Sequence, residues 1–192
     1  MRSQQLSFLS VGVLPAVIDD LEGLLLGPGQ VVRMGGTARL SAVVNAEWRA
    51  AALLAELVAR GLTGERTTAV SGVVAVRTQF VTALGPLAAR WVRGAVKAAP
   101  PELALTGPRL RLWLIGSGRY DGAGYHLGLA PHDPGVWPAA GRALAAAGLP
   151  GTFQETPAVD PAYRITGRRR LARLAELVGD PPPGAGPCDW PA

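Results

Sequence analysis

The residues of this sequence best suited to chemistry are arginines at alternate positions of strand-like segments, and the chemistry they suit is the binding of phosphate. Arg39 alternates with Ser41 and Val43, Arg77 with Gln79, and Arg164 with Thr166. In a strand such residues share one face, while Leu40, Ala42 and Val44, or Tyr163 and Ile165, take the other. Arg33, Arg119 and His126 stand in or beside further strand-like segments. A planar guanidinium makes two parallel hydrogen bonds to a phosphate, or to the major-groove edge of guanine.

Other chemistries are poorly served. One cysteine and two histidines (Cys188, His126, His132) are too few for a Cys/His zinc site, and no intrachain disulfide can form. Cys188 lies in a Pro/Gly-rich end, a poor setting for a catalytic thiolate. His132-Asp133-Pro134 has the composition of a turn. Glu65 and Glu155 fall in similar strand regions and make a weak candidate carboxylate pair. Gly27-Pro28-Gly29 and Gly116-Ser117-Gly118 are too short for a phosphate loop and lack its lysine. Close approach of two helices explains Gly27, Gly29, Gly116 and Gly118 better. Trp48, Trp91, Trp113 and Trp137 sit in apolar helical patterns and are expected in the core. Arg168-Arg169-Arg170 opens a helix at its positive end and is expected to be solvated. No metal or cofactor site emerges.

With 192 residues, 48% hydrophobic and 17% charged, the chain can bury a sizeable core. Mean hydropathy is +0.22, yet no run of apolar residues is long enough for a membrane span, so no membrane partner is expected. Net charge is +5 and the pI about 10.3, which makes a polyanion the leading partner class. Eighteen of the 19 basic residues are arginine, the usage of a GC-rich, actinobacterial type of genome. The uncharged stretch Ser3–Ile18 is broken by Gln4, Gln5, Ser7, Ser10 and Pro15, unlike a signal peptide. A cytoplasmic protein is expected, with the nucleoid as one place for it.

The elements that must position the arginines follow from periodicity and breakers. A helix is expected over Leu14–Leu26, then strands Val31–Met34 and Thr37–Val44 joined by Gly35-Gly36. Asn45 is the expected cap of a helix running to Arg60, stopped by Gly61. Strands Glu65–Val70 and Val73–Gln79 follow around Ser71-Gly72, then a helix Val81–Val92. After the linker 98–107 come an apolar segment Leu110–Ile115 and a strand Tyr125–Leu129. A helix Gly135–Ala147, strands Thr152–Thr156 and Ala162–Thr166, and a helix Arg168–Val178 complete the order. The two halves repeat: Arg60-Gly61-Leu62 and Ala147-Gly148-Leu149 lie 87 residues apart, as do Ala75-Val76-Arg77 and Ala162-Tyr163-Arg164. A period this long implies duplication of a half-domain, residues 1–97 and 108–179, with a tail at 180–192 pinned by Trp190. His126 then corresponds to Arg39, and Arg164 to Arg77.

A helix-strand-strand-helix-strand-strand-helix half present twice resembles the single-chain LAGLIDADG homing endonucleases. Leu21 to Gly29 overlays the nine motif letters, with Leu21, Gly23, Leu24 and Gly29 identical and Leu25 conservative. The copy Leu110 to Gly118 keeps only those two end residues. The resemblance implies an α+β fold of two pseudo-symmetric αββαββα halves, a saddle of antiparallel sheets backed by helices. The two motif helices would pack at a pseudo-twofold axis in a monomer that is an internal pseudo-dimer. It also implies duplex DNA as partner, held by Arg33, Arg39, Arg77, Gln79, Arg119, His126 and Arg164. The nucleases hold a divalent cation with the acid before the last motif glycine. Here Pro28 and Ser117 take that place. The expectation is therefore a DNA-binding protein that does not cut, comparable to the LAGLIDADG-like domain of the regulator WhiA. A residual magnesium-dependent nuclease using Asp121, and a module for protein or structured RNA, are the alternatives.

Overall fold

The computed structural model describes residues 15–68, 73–156 and 159–191. Leu14 and the expected Ser71-Gly72 turn lie outside them. A 3-10 turn, Ile18–Leu21, runs into α1 (Glu22–Leu26), in which every residue is buried. Pro28 cannot continue the helix, and the chain turns into β1 (Gly29–Met34) and β2 (Thr37–Val44). Their tight turn uses Gly35 at φ 57°, a left-handed conformation natural to glycine. Then come α2 (Glu47–Ala59), β3 (Gly64–Thr68), β4 (Val74–Thr78), a 3-10 turn and α3 (Gly85–Trp91). The cap of α2 is Ala46 rather than Asn45, and no side chain caps it.

A small hairpin, β5 (Val92–Arg93) with β6 (Val96–Lys97), ends the expected third helix early. In the second half, α4 (Gly107–Ser117) is longer than the apolar segment suggests. The Thr106 hydroxyl accepts from the Arg109 N–H, and Pro108 sits in the first turn, where its missing N–H costs nothing. There follow β7 (Gly118–Tyr120), β8 (Gly124–Gly128), α5 (Trp137–Ala146), β9 (Thr152–Thr156), β10 (Val159–Thr166) and α6 (Arg168–Val178). The strand β7 escapes a sequence reading because it is three residues long and begins on the helix-end glycine.

Strand order is β1-β2-β4-β3 in one antiparallel sheet and β7-β8-β10-β9 in the other, so each half has the same topology. The helices α1 and α4 pack against each other at the centre. Their contact is close because a Cβ on Gly23 would overlap the Arg109 carbonyl, and one on Gly116 would press Leu24 and Pro28. Leu21, Leu25, Leu26, Leu110 and Leu112–Ile115 are fully enclosed there. Trp91 and Trp113 are fully buried, while Trp48 and Trp137 are half-buried against the core. After α6 the tail folds back. Trp190 is buried and its indole N–H donates to the Gly179 carbonyl at 2.8 Å.

Candidate nucleic-acid interface

Each sheet has one face against helices and one open face. Register fixes which side chains share the open face. Across the first sheet, Gln30, Ser41, Arg77 and Glu65 stand in one row of paired residues. Across the second, the matching row is Arg119, His126, Arg164 and Thr152. His126 therefore corresponds to Ser41, and Arg119 to Gln30. The expected match of His126 with Arg39 is off by one pair, because the halves differ in length between α1 or α4 and the second strand.

Arg39 joins the open face beside this row, opposite Val32, with its guanidinium 4.8 Å from the centre of the Phe80 ring. Gln79 lies just past β4 and donates to Glu65 at 2.6 Å. Arg33 does not join them. It pairs with Ala38, on the face of Val31 and Leu40, and emerges only because the strand outruns the core there. Glu65 and Glu155 cannot form a carboxylate pair, since Thr152 holds the place of Glu65 and Glu155 lies on the opposite face of its sheet.

The arginines differ in their partners. On the helix side four arginines meet acids, Arg60 with Asp20 and Glu56, Arg90 with Asp19 and Glu22, Arg109 with Glu22, Arg111 with Glu56, whereas Arg142 and Arg168–Arg170 have no carboxylate partner among the described residues. On the open face, Arg39, Arg77 and Arg119 have no carboxylate ion-pair partner among the described residues. Arg164 differs. Asp121 accepts from its Nε at 2.9 Å and Nη2 at 3.2 Å, and from the His126 ring at 2.7 Å. Asp121 also accepts from the backbone N–H groups of Ala123 and Gly124. The Arg164 guanidinium, then His126, then the Ala123 N–H hold its carboxyl well below the ordinary aspartate range. Asp121 is thus a closed hub of the β7–β8 turn rather than a free ligand.

Between the sheets lies an open cavity of about 770 Å³. Its floor is the ends of the paired helices, Pro28 and Gly116–Gly118, and Arg49, Arg119, His126 and His132 border it. Gly27 abuts Ser117 and Gly128 across the halves, and Gly116 abuts Leu24 and Pro28. Gly29 and Gly118 do not pack helix on helix: they start β1 and β7, crowded by Leu24 and by Leu114 and Tyr125 of their own halves.

Two buried cations here are absent from the sequence reading. Lys97, the single lysine of the chain, donates to the Gly29 carbonyl at 2.9 Å and to Asp133 at 2.8 Å. Burial pushes its pKa below the lysine norm, and Asp133 opposes the shift. Arg49 donates to the carbonyls of Leu114 (2.9 Å), Ile115 (2.8 Å) and Gly118 (2.6 Å), with Asp189 at 3.5 Å. Its cation suits the negative end of α4. The signal for Arg49 was its place one turn before Leu53, on the apolar face of α2; Lys97 gave none beyond its rarity.

The divalent cation implied by the resemblance does not fit these donors. Pro28 offers no side-chain oxygen, and the Ser117 hydroxyl already donates to the Gly128 carbonyl at 2.9 Å. The carbonyls of Gly29 and Gly118 face cationic side chains. Among the described residues no group of three or more acidic, His or Cys side chains could hold a metal, and no helix is long and apolar enough to cross a membrane.

No family profile and no curated protein matches this sequence. Solved structures do. The homing endonuclease I-WcaI bound to its DNA recognition sequence aligns with a TM-score of 0.62 at 14% identity, over 83% of this chain and 78% of that one. The N-terminal LAGLIDADG domain of DUF199/WhiA aligns at 0.61 and 11% identity, over 84% and 81%. Full-length DUF199/WhiA from Thermatoga maritima aligns at 0.64 and 11% identity, over 90% of this chain but only 58% of its own. At such identities the likeness is one of architecture: this chain has the LAGLIDADG-like fold of the homing endonucleases, in two pseudo-symmetric halves.

Proposed function

We propose that the chain binds duplex DNA along the open face of its two sheets without cutting it, as a monomer with a regulatory role. The observation that carries this reading is the gathering of Arg39, Arg77 and Arg119 on one open sheet face. Among the described residues none of the three has an ion-pair partner, unlike Arg60, Arg90, Arg109 and Arg111, which meet acids on the helix side. Free guanidinium groups on a sheet face gain most from a phosphate backbone, where they displace counterions. The absence of a carboxylate at Pro28 and Ser117 supports binding over cleavage. Asp121 is engaged by Arg164 and His126, which counts against it as a metal ligand.

The test is a salt titration of duplex affinity by fluorescence anisotropy, with RNA as a parallel probe. The slope of log affinity against log salt should flatten by roughly 0.9 for each phosphate-contacting arginine lost in Arg39→Ala/Arg77→Ala/Arg119→Ala. Wild-type affinity in that folded variant would sink the proposed face, and preference for RNA would redirect it. Supercoiled plasmid incubated with Mg²⁺ should remain uncut; nicking abolished by Asp121→Ala would establish a nuclease instead.

A further inference from the structure

The ends of the paired helices carry an arrangement that mere loss of acids does not explain. Each end has a buried side-chain cation on the carbonyl of its last motif residue: Lys97 on Gly29 and Arg49 on Gly118. We propose that Lys97 and Arg49 occupy electrostatically the two places a divalent cation would need, so that this centre stays closed to metal even when a carboxylate is restored.

Burying a charge is unfavourable unless its hydrogen bonds are met, and here both sets are. Lys97, 7% exposed, has the Gly29 carbonyl and Asp133, which Gln30 also holds at 2.7 Å. Arg49, 4% exposed, has three carbonyls of the α4 end and Asp189. The two cations come from unrelated elements. Lys97 lies on β6 and reaches the strand start of its own half, whereas Arg49 lies on α2 and reaches across to the other half. Equivalent places filled from different elements point to a demand of the site rather than a contact copied with the duplication. A carboxylate placed at 117 or 28 would meet a fixed cation with no desolvation of metal required, and a dication would find the Gly29 and Gly118 carbonyls already held by Lys97 and Arg49.

The test uses the full chain without DNA, so its outcome is independent of whether the open face binds a duplex. Ser117→Asp is titrated with Mn²⁺, and uptake is followed by loss of the free-ion electron paramagnetic resonance signal. Ser117→Asp should take up no more Mn²⁺ than wild type and should melt at a higher temperature. Adding Arg49→Gln should create at least tenfold tighter uptake. Pro28→Asp with and without Lys97→Met, both made in an Asp133→Asn background so that no second carboxylate is freed, repeats the comparison at the other helix end and decides the matter if the Arg49→Gln pair does not fold. Mn²⁺ uptake by Ser117→Asp with Arg49 intact overturns the proposal. So does a folded Ser117→Asp/Arg49→Gln chain that takes up none.

Discussion

Asp121 shows how one side chain can be engaged so fully that it loses its apparent chemical potential. Its carboxylate joins Arg164, His126 and two backbone N–H groups at the tip of the β7–β8 hairpin. A carboxyl whose folded pKa is depressed stabilises the fold above its unfolded value, near pH 4, and loses that contribution as pH falls below it. The melting temperature of wild type should therefore drop more steeply below about pH 4 than that of Asp121→Asn. Calorimetry across that range checks this, and parallel curves would assign the acid sensitivity elsewhere. His126 illustrates the reverse surprise: it sits on an open sheet face yet is only 8% exposed, because its neighbours close over it.

At the scale of elements, α1 is short and almost wholly apolar, so its propensity alone would not hold it in water. Its stability comes from α4, and the closest point of that contact is Gly23 beneath the Arg109 carbonyl. Gly23→Ala should destabilise the fold by about 2–3 kcal/mol through overpacking, readable as a shift in the denaturant midpoint. A near-neutral result would show that the two helices slide apart easily. The strands obey a different logic. Exposed and buried residues alternate cleanly along β2 and β4, which is why Arg39 and Arg77 were legible from spacing alone. The register between strands was not legible, and it decides that Ser41, not Arg39, faces Arg77. Arg33 shows the same limit, since a strand's phase cannot be judged where its end leaves the core.

For the molecule as a whole, the tail binds the two halves rather than trailing from them. Cys188 accepts from the Tyr120 N–H, Asp189 accepts from the Tyr125 hydroxyl and meets Arg49, and Trp190 stacks beside Arg111. Removing the indole in Trp190→Ala should cost about 3 kcal/mol or more, seen in thermal melts. An unchanged melting point would make the tail an accessory.

The order of elements, the duplication and the arginines of alternating strands were all present in the sequence, because apolar period, glycine stops and repeated spacing are local properties of a chain. Tertiary structure alone decided which arginines remain without an ion-pair partner, that Asp121 is engaged, and that a lysine and an arginine sit at the helix ends. Those outcomes depend on the register between strands and on contacts such as Arg49 with Gly118, between residues far apart in the chain. No local pattern encodes them.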